Sequence, residues 1–351
     1  MGITVWLQRV VRLSALLLCT VCLEGCSLGY LWHVTIGQVA ILAQQRPVED
    51  VFQDDHLTAE EQHKIRLVQD VRAFAITQLG MHAGHSYTTF VRLDRPYVSY
   101  NLSAAPPDAL TPYVWHFPFV GRMPYKGFFD KDYALHEQHE LEQQGYDTYL
   151  RGVRAYSTLG YFVDPILSSM LAYDDFFLIN TIIHEMLHQT VWIKGSVSFN
   201  ESLASFVGEQ GTLAYLAQRH GVDSPEYQRY RDVRADALVF EAYMRALIER
   251  LDALYHEPIS REDKLRRREQ IFAEAVAAYS EVLPRMKTTS YGKFFERQAL
   301  NNARLLAFRV YHRDPTFFAQ ALAAQGGDLR RMIAYFKTLR ADEIPAQFRT
   351  R

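Results

Sequence analysis

The segment His184-Glu185-Met186-Leu187-His188 lies inside a strongly apolar run from about Asp175 to Trp192. Ile179, Ile182, Ile183, Met186, Leu187 and Val191 recur at helical spacing and supply the surface of a buried helix. Histidines four residues apart stack on one helix face, so both imidazoles can reach a single ion. Glu185 is rotated by about 100° from His184, which lets its carboxyl approach a water on that ion without binding the ion itself. Two neutral imidazoles and an adjacent carboxylate are the parts of zinc-assisted hydrolysis, with His184 and His188 as ligands and Glu185 as base.

Asn200-Glu201-Ser202-Leu203-Ala204 opens the next predicted helix, about Asn200 to His220, and resembles the N-E-x-x-A signature of gluzincin peptidases. That resemblance makes Glu201 the third ligand, and two histidines plus a glutamate leave the open water position of a catalytic zinc shell. Twelve residues separate His188 from Glu201, fewer than in the best-known gluzincins, so the chain must turn within Lys194-Gly195-Ser196. Glu209 lies two turns further on the same face. It can hydrogen-bond a histidine, meet a substrate amine, or form a surface ion pair. The position four after Glu201, often acidic in gluzincins, is Ser205.

The amino terminus carries Arg9 and Arg12, then a short apolar run from Leu13 to Leu23, then Leu23-Glu24-Gly25-Cys26. This is the layout of a secretory signal, and the run is shorter than the roughly 20 residues that span a bilayer. Leu23 to Cys26 resembles the lipobox of bacterial lipoproteins, with Glu24 where a small or apolar residue is usual. The resemblance implies that Cys26 is lipidated and that residues 1–25 are removed. With Ser27 next, it also implies a place in the bacterial envelope, facing the periplasm at the outer membrane. Cys19 and Cys22 would leave with the signal, so neither a cysteine nucleophile nor a thiolate metal site is expected.

The chain has 351 residues and a net charge of −2, which gives no general attraction to nucleic acid. Its expected layout is a lipidated tether and first helix over 26–50 (the helix from about Leu31 to Gln45), then a peptidase domain over 51–351. Thr58 with Glu61 opens a helix to Leu79. Ser86–Leu93 and Tyr97–Ser103 alternate by twos around Asp94-Arg95-Pro96 and predict a β-hairpin, and Val153–Phe162 predicts a further strand. His136 and His139 fall in a polar helix, Asp130 to Gln144, and read as a solvated face. Beyond His220 the pattern is helical, with starts at Ser224-Pro225 and Ser260, and helices over about Tyr291–His312, Pro315–Ala324 and Leu329–Leu339. The fold class is therefore α+β: a small sheet in the first half and a mostly helical second half.

The chain also resembles, nearly end to end, a bacterial family of aminopeptidases known as predicted lipoproteins. The shared segments are Arg72-Ala73-Phe74-Ala75, Ala104-Ala105-Pro106, Ala155 to Gly160 with Asp164-Pro165, His184 to Glu201, and Leu300-Asn301-Asn302-Ala303. The resemblance implies a zincin-like fold, one Zn²⁺ per chain and a peptide substrate. Tyr156 and Tyr311, with His312 behind, are candidates to steady the oxyanion. There is no G-x-M-E-N segment for a substrate amine, and Asp164 and Glu209 are the possible substitutes. An endopeptidase of envelope proteins and a non-catalytic lipoprotein that binds a partner remain alternatives. The oligomeric state is left open.

Overall fold

The computed structural model describes residues 25–348, apart from 54–56, 83, 118–120, 159–161, 297, 312–314 and 346–347. Of the signal expected over residues 1–25, residues 1–24 lie outside the described residues, as does the side chain of Cys26. The fold is α+β. Helix α1 (Gly25–Ala43) begins before the expected tether ends, so residues 27–30 are helical. Strand β1 (Arg46–Pro47) and α2 (Ala59–Thr77) follow, and α2 carries the full Thr58–Glu61 capping box. The remaining strands are β2 (Thr89–Val91), β3 (Ser99–Ala105), β4 (Trp115–Phe117), β5 (Gly121–Met123) and β6 (Lys126–Phe128). Helix α3 (Lys131–Gln143) then leads into β7 (Asp147–Val153) and β8 (Ile166–Leu167). From there the described elements are helical: α4 (Asp175–Thr190), α5 (Val197–His220), α6 (Pro225–His256), α7 (Arg261–Val282), α8 (Asn302–Tyr311), α9 (Thr316–Ala324) and α10 (Leu329–Lys337). Among the described residues no helix is long and apolar enough to cross a membrane.

The expected hairpin does not form. β2 pairs with β1 and, in parallel, with β8, while β3 sits between β6 and β7 in a second sheet. The physical reason is burial: Phe90 and Val91 go into the main core, whereas β3 finds a seven-residue antiparallel partner in β7. The strand expected over 153–162 is displaced to 147–153 for the same reason, since pairing with β3 ends at Val153. β7 has one sheet neighbour and is an edge strand.

The helix expected over 291–312 begins only at Asn302, because side chains satisfy the preceding backbone as turns. Asp236, almost fully buried, accepts the Lys287 and Thr288 amides at 2.7 Å each. Arg304 donates to the carbonyls of Phe294 and Gln298, with its guanidinium 4.3 Å above the Phe294 ring. Two of the family-like segments meet here. The Asn302 side chain donates to Pro106 O at 2.9 Å, and its amide N–H donates to Asp147 at 2.9 Å.

The core that positions the site lies between α2, α4 and α5. Leu178, Ile179, Ile182, Ile183, Met186 and Leu187 are each at most 2% exposed. Such side chains contribute about 1.5–3 kcal/mol apiece relative to leaving them in water. Glycines let α5 approach α4 closely: a Cβ at Gly208 would lie 3.1 Å from the Asn180 carbonyl oxygen, and one at Gly211 3.0 Å from Ile183.

Candidate metal centre

Burying the apolar face of α4 turns the other face, with Asn180, Thr181, His184, Glu185 and His188, toward a cavity of about 2010 Å³. Asp174 caps the helix by accepting from the Phe177 amide at 2.8 Å. The turn to α5 uses Gly195 at φ +78°, a left-handed conformation that glycine adopts freely. Asn200 holds this turn shut, accepting from Ile193 N at 3.0 Å and donating to Ile193 O at 2.8 Å. The tight connection delivers Glu201 to the two histidines. His184 Nε2 lies 3.1 Å from His188 Nε2 and 3.4 Å from Glu201 Oε2, and His188 Nε2 lies 3.7 Å from the same oxygen.

Among the described residues, this is the one His/Cys/Asp/Glu group whose ligand atoms could hold a metal ion. His136 and His139 are exposed on α3 and take no part. The donor set fits a cation. Two Nε2 atoms facing each other can share only one proton, and the third atom is a carboxylate oxygen, so lone pairs converge on one point. Burial opposes ionisation of Glu201, but His188 and His184 outweigh it and hold the carboxyl far below its usual range. His188 Nδ1 is buried without a hydrogen-bond partner, and Trp192 packs edge-on against that ring at 5.4 Å.

Glu185 lines the cavity beside this group. Burial raises its carboxyl to about 7, with Glu201 and Asp164 adding to the rise and His184 opposing it. Tyr156 lines the same cavity, its phenol raised by burial, and its hydroxyl donates to Gln38 of α1 at 2.7 Å. The side chain of Tyr311, and all of His312, lie outside the described residues.

Asp164 is not placed to receive a substrate amine. It is buried, is not part of the cavity wall, and accepts from the Thr158 amide and hydroxyl, Ser157 Oγ and Gln189 Nε2. Its role is to pin the 157–164 loop to α4. Glu209 does reach the cavity, but its hydrogen bond goes to Arg234 of α6 and to neither histidine.

Glu209 supplies a pH prediction. Burial raises it from 4.5 to about 8, Arg234 opposing and Glu241 adding. Between those values the folded chain holds a proton that the unfolded chain releases, so stability falls as pH rises through the window and levels off above it. The urea midpoint of the parent should therefore fall between pH 5 and pH 8 by more than that of Glu209→Gln. Equal slopes would remove Glu209 as the titrating group.

Two tyrosines near Glu185 carry no clear sequence signal. Tyr173 lines the cavity close enough for Glu185 to act on its phenol, which burial raises to about 12. Tyr87 is the only described non-glycine residue at positive φ (64°), and its buried hydroxyl has no partner. Its amide N–H donates to Asp164 O at 2.6 Å and its carbonyl accepts from Gln69, so the surroundings impose the unusual backbone.

A helix-borne His-x-x-x-His pair and a glutamate from the following helix form a group that could hold a metal ion, with the Glu185 carboxyl in the same cavity. The chain belongs to the family described as "Putative aminopeptidase", whose model matches residues 29–350. At the coarse level this makes it a peptidase. No curated protein and no solved structure matches it.

Proposed function

We propose that the chain is a zincin-like metallopeptidase that binds one Zn²⁺ through His184, His188 and Glu201, uses Glu185 as its base, and acts as an aminopeptidase. We further propose that lipid on Cys26 anchors it in the bacterial envelope, facing the periplasm at the outer membrane. The spacing of the three ligand atoms carries the zinc reading. Tetrahedral ligands at Zn–N distances of about 2.0–2.1 Å lie about 3.3–3.4 Å apart, and the separations here are 3.1, 3.4 and 3.7 Å.

When bound, zinc would polarise a scissile carbonyl and make a water acidic near neutral pH. Glu185 takes a proton from water in the cavity and returns it to the leaving amine, a task suited to a carboxyl that lines the cavity beside His184. Tyr173, its phenol raised to about 12, remains protonated at neutral pH and can donate a hydrogen bond to developing negative charge, whereas Tyr156 would first have to release Gln38. The β7 edge and the α4 face border the same cavity, so an extended peptide could lie between them.

One observation favours the endopeptidase alternative: neither Asp164 nor Glu209 presents an unengaged carboxylate for an N-terminal amine. Aminoacyl nitroanilides and end-blocked, internally quenched peptides separate the two readings. An aminopeptidase cleaves the former and spares the latter. The opposite preference would replace the exopeptidase assignment.

A further inference from the structure

Helix α1 meets the protein along one side only. Ile41 is buried, a Cβ at Gly37 would run into the Phe129 ring, and Tyr30 donates to Gly127 O at 2.9 Å. Tyr30, Val34, Thr35, Gln38, Val39 and Leu42 form part of the wall of the peptidase cavity. The other side is apolar and bare. Trp32 and Ile36, one turn apart, are 69% and 50% exposed, and Val39, 57% exposed, sits where this side meets the cavity rim. From Gly25 to Gln45 there is no Asp, Glu, Lys or Arg.

The patch extends at both ends. Exposed Tyr133 lies against the His33 ring at 4.7 Å, and Gln45 holds Val163 O at 2.9 Å, beside exposed Phe162. What covers the patch follows from where the described chain begins. The preceding residues end in the apolar run Leu13–Leu23, and Cys26 lies in the first turn of α1. With Cys26 acylated as proposed above, an apolar anchor sits at the start of the helix. Trp32 follows Cys26 by six residues, about 9 Å along the axis. An anchored terminus keeps the adjoining face at high effective concentration near lipid, which a second copy of the chain does not share. Trp and Tyr favour the headgroup level, and an uncharged apolar face binds there by area rather than by charge.

We infer that α1 lies in the membrane interface on Trp32 and Ile36, with Val39 at the border between lipid and the cavity rim. The other side of the same helix then holds the peptidase cavity against the bilayer, placed for substrates presented at the membrane surface. The inference rests on the lipid-anchor proposal above.

The test uses the chain as a bacterial host processes it, purified from membranes and reconstituted in phosphatidylethanolamine–phosphatidylglycerol vesicles with brominated acyl chains. Bromine quenches tryptophan in contact with the acyl region. The expected result is flotation of the chain with the vesicles and quenching in the parent that is lost in Trp32→Phe. Trp32 is exposed, so this variant keeps the fold, which circular dichroism checks. Flotation with equal quenching in both proteins would overturn the inference and leave the anchor standing. A chain that stays in solution would overturn the anchor and the inference together. Shielding of Trp32 before lipid is added, in a particle of twice the mass, would assign the face to a second copy instead.

Discussion

Glu185→Gln will keep zinc at about one per chain while lowering peptide hydrolysis by about 10²- to 10⁴-fold, the range set by loss of a positioned base. Glutamine preserves the shape of the side chain and its seat beside His184, so the three ligand atoms should stay where they are. What is lost is a group that can accept and release a proton. The expected signature is a fall in kcat with KM little changed, because substrate binding does not use that proton. An unchanged kcat would remove Glu185 from the chemistry. A matching loss of zinc would show that the side chain acts on the site's geometry instead.

Glu201→Ala should weaken zinc by more than about 100-fold, since even residues that only orient metal ligands are commonly worth 10- to 100-fold. His188→Ala should do the same. In both variants the remaining pair cannot close three sides around an ion. Because Glu201 is buried and nearly in contact with both imidazoles, its removal also takes away the charge that complements them. Competition against a chelator of known zinc affinity reads the change directly. Parent-like affinity in Glu201→Ala would move the third ligand elsewhere, with Glu209 the nearest acid on the same helix.

What was legible in the sequence was local. The α4 periodicity with its two histidines, the Thr58–Glu61 box and the Ser224-Pro225 start depend on residues within one or two turns, and the structure places each as expected. The family resemblance also holds. The pairing of strands depends on partners far along the chain. The alternation in 86–93 and 97–103 identified extended segments, but not that β2 would join β1 and β8 while β3 joined β6 and β7.

Polar clamps were illegible for the same reason. Nothing near residue 291 announces that Asp236 and Arg304 will satisfy the backbone before Asn302 and so delay the helix. Asp164 looked available because its four side-chain and backbone donors come partly from a loop and partly from α4. At the site, Glu201 was visible through its motif, whereas the Asn200 clamp on Ile193 required the turn itself. Tyr173 and Tyr87 were hidden among 21 tyrosines, because only packing decides which phenol lines the cavity, as Tyr173 does, and which is buried in the core, as Tyr87 is.

The most direct test of the account is the zinc content of the folded parent chain, measured after purification and again after chelation and metal add-back. The account predicts about one zinc per chain, removed by the chelator and restored on return of the metal. A folded chain that takes up no zinc under any of these conditions would contradict the metallopeptidase reading at its root.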